Sequence, residues 1–268
     1  MRARRVHIIG CYRSGTTLLM ELMWRSFAFS GRADHEASLL DPPPAGETLY
    51  LSKKPPDTTR IERAFRRDDE TCLIAMLRDP RAVVASRHAS RPDVYFRGFR
   101  HWRDCARAVR RLETHPRCLV VRFEDLLAEP DGVQESIERG FGFLERRGRF
   151  SDYPDGVETG ERAGRSLGGV RRLDASRIGG WRDHLPRVRA QLDAHPDMES
   201  SLIEFGYEPD AAWTKQLGGI SPHVQRYKEK PPHLLKRWET ALRYRLRTRA
   251  YLRNRRTARL AARGKSPA

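Results

Sequence analysis

Four short apolar runs punctuate the first half of the chain: Val6–Ile9, Thr48–Leu51, Cys72–Leu77 and Cys118–Phe123. Each is short enough, and rich enough in β-branched, aromatic or cysteine side chains, to predict a strand. Between most of them the apolar positions recur at three- and four-residue intervals, which predicts amphipathic helices over Thr16–Phe27, Thr58–Phe65, Ala82–His88 and Phe99–Leu112. Strand alternating with helix predicts the α/β class: a three-layer fold with a central parallel sheet flanked by helices. Ligands of such sheets sit at the carboxyl ends of the strands, so the residues just after each run are the first to inspect.

Beyond Phe123 the pattern predicts a helical run to about Leu144 and a helix around Arg187–Phe205. Residues 151–176 carry Gly156, Gly160, Gly164, Gly168 and Gly169 among Asp and Ser and predict a long loop. Pro209, Pro222, Pro231 and Pro232 then mark a linker. The expected organisation is one domain over 1–216, followed by a basic linker and helical tail over 217–268.

Charge changes that picture at one end. The 268 residues carry a net charge of +17, of which 221–268 hold +13 (15 Lys or Arg against Glu229 and Glu239), leaving +4 for everything before. From Leu234 the chain places Leu234, Trp238, Leu242, Leu246 and Ala250 four apart among arginines, a basic amphipathic helix. Three roles are open for it: lying on an anionic membrane surface, capturing an acidic glycan, or packing on the domain. No apolar run approaches the roughly 20 residues that cross a bilayer. The apolar stretch behind Met1–Arg5 is too short for a signal peptide. The expectation is a soluble cytoplasmic protein. Cys11, Cys72, Cys105 and Cys118 form no C-x-x-C pair and have no His at zinc spacing, which fits reduced, metal-free thiols, with Cys72 and Cys118 buried.

The informative chemistry stands directly after the first strand, in Gly10-Cys11-Tyr12-Arg13-Ser14-Gly15-Thr16-Thr17. A strand, a glycine-bounded loop and a helix N-terminus make an anion site from inward-pointing N–H groups and the helix dipole. The spacing is that of a P-loop, yet Thr16 occupies the place of the usual lysine and the loop's cation is Arg13. A glycine turn that merely precedes a helix is the bland alternative.

Tyr12 to Leu19 resembles the 5′-phosphosulfate-binding loop of sulfotransferases dependent on 3′-phosphoadenosine 5′-phosphosulfate (PAPS), most closely the bacterial, carbohydrate and tyrosylprotein branches. The resemblance implies that Arg13, Ser14, Gly15, Thr16 and Thr17 hold the 5′-phosphosulfate. Leu77-Arg78-Asp79-Pro80-Arg81, with Ser86 eight residues after Arg78, is similar to the family's 3′-phosphate motif and implies Arg78 and Ser86 as its holders. Read alone, they are a strand-end cation and a helix-face hydroxyl. Arg177-Ile178-Gly179-Gly180-Trp181 resembles the segment that closes over the nucleotide, making Arg177 and Trp181 candidate contacts; Trp181 also reads as a core anchor. Arg122-Phe123-Glu124-Asp125-Leu126 matches the family's strand-end motif, where the acids orient backbone and arginines. The likeness runs from about Arg5 to Trp181 and implies PAPS as co-substrate, PAP as product, and no metal.

Transfer to a hydroxyl or amine, here expected on a carbohydrate or glycolipid, needs cations at the leaving phosphate and a base for the acceptor proton. Arg13 and Lys53 fill the first role, with Lys54 the rival and a solvated lysine pair the bland reading. Glu36 is the base that the resemblance points to; His35, with its better-matched intrinsic pKa, is the alternative. Arg87–His101 and the 151–176 loop are expected to shape the acceptor entrance. Two other classes compete: an ATP-dependent phosphotransferase with Asp79 as Mg²⁺ ligand, and a nucleic-acid-binding module built on the tail, which would leave the phosphate loop unexplained.

Overall fold

The computed structural model describes residues 4–88, 91–153, 173–223 and 234–263. Strand β1 (Arg4–Gly10) is the centre of a five-stranded parallel sheet. It pairs on one side with β3 (Leu49–Lys53), whose outer neighbour is the two-residue β2 (Gly31–Arg32). On its other side lies β4 (Thr71–Leu77), followed by β7 (Cys118–Arg122). The chain thus leaves β1 for one flank and returns to build the other, so the strand order reverses beside β1. This is the point at which open α/β sheets bind ligands.

Alternation along the central strands divides the core. Val6, Ile8, Cys72, Ile74 and Met76 enter one apolar cluster with Leu19, Leu22 and Phe27, whereas Ile9, Leu73 and Ala75 enter another with Ile61, Phe65 and Val109. Successive side chains of a strand point to opposite faces, and both faces here are covered by helices. Helix α1 (Thr16–Ser26) covers the first face. Helix α2 (Glu62–Arg67) and the carboxyl-terminal turns of α4 (Phe99–Leu112) cover the second. A third cluster joins α3 (Pro80–Val84) and the start of α4 to Trp181 and to α7 (Leu185–Ala194) and α8 (Asp197–Glu204).

The strands fall where the hydrophobic pattern predicts them, and several helices differ. The helix expected over Ala82–His88 stops at Val84, and a short antiparallel hairpin follows, β5 (Arg87–His88) with β6 (Arg91–Tyr95). Ser86 therefore lies between helix and strand and not on a helix face. The expected Arg187–Phe205 helix is two helices, broken at His195-Pro196, because proline cannot supply the interior N–H bond. The run after Phe123 likewise divides into α5 (Phe123–Ala128) and α6 (Pro130–Gly140), with Pro130 opening the second. Arg122 ends β7 and Phe123 already starts α5. Most of the 151–176 loop and the linker residues Pro231 and Pro232 lie outside the described residues.

The tail helix α9 (Leu234–Arg263) packs on the domain, but not through its leucine stripe. Tyr251 is buried in the second-face cluster, with Tyr244 and Leu252 packed against it. The Tyr244 hydroxyl donates to Asp57 Oδ1 at 3.1 Å, Arg247 pairs with Asp41 at 2.6 Å, and Arg255 pairs with Glu70 at 2.7 Å. Arg255 and the Tyr251 hydroxyl also bond Asp68. A tyrosine brings an apolar ring and a hydroxyl to the same contact, which a leucine cannot do beside buried aspartates. All four cysteines are buried and unpaired, and burial pushes the Cys11 and Cys118 thiols up to about 12.

Candidate active site

The glycine loop takes its shape from positive backbone angles. Gly10 (φ 150°), Arg13 (φ 71°) and Gly15 (φ 93°) turn the chain from β1 into α1. A Cβ at Gly15 would lie 2.4 Å from the Phe123 ring, and one at Gly10 would lie 2.7 Å from the Met76 carbonyl oxygen, so neither position has room for a side chain. The Thr58 hydroxyl accepts the Gly10 N–H at 2.8 Å. The Tyr12 N–H donates to His101 Nε2 at 3.4 Å. Gly15 caps α1 without a side-chain bond and no acidic residue occupies the first turn, leaving the positive end of the dipole facing outward from the loop.

That end opens on a cavity of about 670 Å³. Arg13, Gly15, Thr16, Thr17, Glu36, Lys53, Arg78, Ser86, Arg177 and Trp181 all line it, so ten of the eleven positions singled out from the sequence converge on one space. Ser14 is the exception. Its side chain is fully buried, and its hydroxyl donates to the Cys11 carbonyl at 2.7 Å, bracing the loop from behind.

The two arginines are joined. Arg13 Nε donates to Ser86 Oγ at 2.8 Å, and Arg78 Nη1 donates to the Arg13 carbonyl at 2.9 Å. Arg78 also lies over the Phe123 ring, 4.2 Å from its centroid, and its buried Nε has no hydrogen-bond partner among the described residues. Burial lowers the pKa of both guanidiniums, and for Arg13 the adjacent Arg78 adds to the effect. Both remain charged, since guanidinium titrates far above neutrality. Glu124 accepts the Asp79 N–H at 2.9 Å, and burial raises its pKa; this is the backbone-orienting task expected of the strand-end acids.

On the facing wall, Lys53 ends β3 with only 2 % of its surface exposed, 3.8 Å from Glu36. Burial pushes the lysine pKa down, and Glu36 and then Glu21 pull it back up. Lys53 lines the cavity and Lys54 does not. His35 lines it beside Glu36. The loop carrying both is fixed from beneath. Ala37 N–H donates to the Lys53 carbonyl at 3.1 Å, and the Ser38 hydroxyl and Leu39 N–H each reach Asp57 Oδ2 at 2.8 Å. Asp57 in turn lies 3.3 Å from His7 Nε2, and His7 Nδ1 lies 2.8 Å from Ser52 Oγ. Burial works to raise the Asp57 pKa, but the adjacent His7 and the donors from Leu39 and Ser38 outweigh burial and hold it low.

Trp181 is a core side chain, 3 % exposed in the third cluster, and it also lines the cavity, with Arg81 over its ring at 4.1 Å. Asp79 is fully engaged by Arg81, which donates to it from its backbone N and from Nη2, each at 2.7 Å. Further lining residues include Tyr12 and Phe123, which sit inside motifs already noted, Phe96, from the Arg87–His101 segment, and Tyr153 and Asp174, from the 151–176 loop. His184 also lines the cavity, and nothing in the sequence marks it.

Fold and cavity together define an α/β protein with an arginine-bearing glycine loop and a second arginine one strand away. No protein-family model matches the sequence, and no curated protein does. Among solved structures, the chain is similar to the sulfotransferase domain of the Synechococcus olefin synthase at 16 % identity and a TM-score of 0.45, covering 68 % of this chain and 88 % of that one. It is similar to the sulfotransferase domain of the curacin biosynthetic pathway at 13 % identity and a TM-score of 0.45, over 66 % and 89 %. Retinol dehydratase, solved with retinol and PAP, matches at 15 % identity and a TM-score of 0.42, over 85 % and 84 %.

Proposed function

We propose that the protein is a sulfotransferase that moves a sulfuryl group from PAPS to a hydroxyl or amine of a carbohydrate or glycolipid acceptor. The observation that carries this reading is the link between two anion-holding elements. Arg13 of the glycine loop bonds Ser86, while Arg78 leans on the loop's carbonyl with a buried Nε unused among the described residues. A buried donor without an acceptor is costly, and a phosphate oxygen would satisfy it. Arg78 and Ser86 hold the 3′-phosphate. Arg13, Gly15, Thr16, Thr17 and the α1 N-terminus hold the 5′-phosphosulfate, and Arg177 and Trp181 lie against the nucleotide.

PAPS supplies an activated sulfur–oxygen bond to its 5′-phosphate. Glu36 takes the proton of the acceptor as the new oxygen–sulfur bond forms in line and the bond to phosphate breaks, releasing PAP. Lys53 and Arg13 stabilise the charge that gathers on the leaving phosphate oxygen and on the sulfuryl oxygens. A lysine so deeply buried is aimed before the substrate arrives and costs little reorganisation. The aromatic side chains of Tyr12, Phe96 and Tyr153 line the cavity and suit the apolar face of a sugar ring.

A magnesium-dependent phosphotransferase fits less well, because the Asp79 carboxylate is held by Arg81 and Thr16 stands where the phosphate-binding lysine would be. Thermal unfolding of the full chain with PAP, with ATP plus Mg²⁺ and with an oligonucleotide separates the readings. PAP at about 100 times its Kd should add roughly 2.7 kcal/mol, a rise of about 5–10 °C. Stabilisation by magnesium-ATP with indifference to PAP would remove the proposal.

A further inference from the structure

The tail helix has two opposite faces with different partners. Tyr244, Thr248, Tyr251 and Arg255, with Arg247, form the line that docks on the domain. Residues spaced three and four apart along the far side form one outward line: Leu235, Trp238, Leu242, Leu246, Arg249, Arg253, Arg256 and Leu260. Four large apolar side chains in its first half are left in solvent, with Leu235 73 %, Trp238 71 %, Leu242 56 % and Leu246 54 % exposed. The second half is cationic, and Lys236, Arg243 and Arg245 are exposed near the apolar half, against the single acid Glu239. A docked helix has no packing reason to carry such a stripe on its free face, and patches of this kind mark interaction sites.

We propose that this outward face of α9 binds an anionic lipid bilayer, lying in its interface. Charge selects the occupant. A second copy of the chain would bring the Arg249–Arg253–Arg256 row against another cationic face. A nucleic acid would meet the arginines but leave four apolar side chains uncovered. An anionic bilayer takes both, burying Leu and Trp at headgroup depth while the cations pair with lipid phosphates. No helix among the described residues is long and apolar enough to cross a membrane, so the contact is peripheral.

Orientation adds a consequence. Tyr244 meets Asp57, just beyond the carboxyl end of β3, whereas Arg255 meets Asp68 and Glu70, just before the amino end of β4. The helix runs against the strand direction, so its apolar half lies toward the sheet edge where the cavity is. Docking would bring the cavity toward the lipid surface, a placement suited to an acceptor anchored in lipid. That last clause rests on the sulfotransferase reading; the lipid contact does not.

Co-sedimentation of the full chain with vesicles tests the contact without nucleotide or turnover. Binding to phosphatidylcholine vesicles containing 30 % phosphatidylglycerol should exceed binding to pure phosphatidylcholine by more than about tenfold, and about 0.5 M salt should abolish the difference. Trp238→Asp with Leu242→Asp should lower partitioning at least about tenfold. Arg249→Glu should lower it about fivefold or more, the worth of one surface cation. These side chains lie off the docked face, so thermal unfolding should stay as in the parent chain. Equal pelleting with both vesicle types, unchanged binding of the double variant, or a dimer in sedimentation that Trp238→Asp dissolves would each overturn the proposal.

Discussion

The two walls of the cavity are built in different ways. The arginine wall is local: Gly10 to Thr17 is one loop between a strand and its helix, and Arg78 follows the next strand over, joined to the loop by one hydrogen bond, with Ser86 joined to it by a second. The lysine–glutamate wall is assembled from distance. Glu36 sits on a loop whose footing is Asp57, itself tied to His7 in the central strand and to Tyr244 in the tail, 187 residues away in sequence. On the proposed reading, binding chemistry is carried by short motifs, whereas proton chemistry depends on buried polar contacts that a motif does not contain.

The sharpest way to separate the walls is Glu36→Gln. Turnover should fall ~10²–10⁴-fold, the range for removing a general base, while calorimetric affinity for PAP stays as in the parent. A variant that turns over normally would take the base role from Glu36 and leave His35 to be tested next.

Acid should loosen the loop through His101. Burial, with Arg97 and then Arg60 adding to it, pushes this histidine down to about 4. Between about pH 6.5 and that value the unfolded chain binds a proton that the folded one refuses, so stability falls as pH drops through the window, by up to about 3 kcal/mol. His7, also pushed down by burial, contributes in the same direction. Denaturant titrations from pH 7 to 4.5 should show the slope, and His101→Asn should remove its own share; a flat profile in the parent chain would contradict the assignment.

A smaller effect probes the distant support. Tyr244→Phe deletes only the hydroxyl that reaches Asp57 and should cost about 1–2 kcal/mol in stability. If the tail helps hold the Glu36 loop, kcat should fall about two- to fivefold with PAP affinity unchanged; equal losses in both would mean that the tail serves the fold in general.

What the sequence discloses follows the same division. Periodicity finds the four main strands because each is a short apolar run, buried nearly throughout in β1, β3 and β4 and in part in β7. The glycine loop is found because Gly10 and Gly15 meet positive backbone angles between a strand and its helix, whereas Arg78 is found only through the family resemblance, since alone it reads as a strand-end cation. The β5–β6 hairpin is missed because Ala82–His88 has helical spacing, and nothing local says that the helix stops at Val84. The docking face of α9 is missed for a different reason. Hydrophobic spacing points to the leucines, but the buried aspartates Asp57 and Asp68 select the tyrosines and arginines, and those aspartates lie far away in sequence. Ser14 carries the right motif and the wrong orientation, a distinction made only by its bond to Cys11.

The central claim is that Arg78 and Ser86 read a second phosphate beyond the one in the glycine loop. Calorimetry should compare PAP with adenosine 5′-monophosphate, which lacks the 3′-phosphate, on the parent chain and on Arg78→Ala. The parent should prefer PAP by about ten- to a hundredfold, the worth of charge-assisted bonds to one phosphate, and Arg78→Ala should erase most of that preference. Equal affinity of the parent for the two nucleotides would contradict the account.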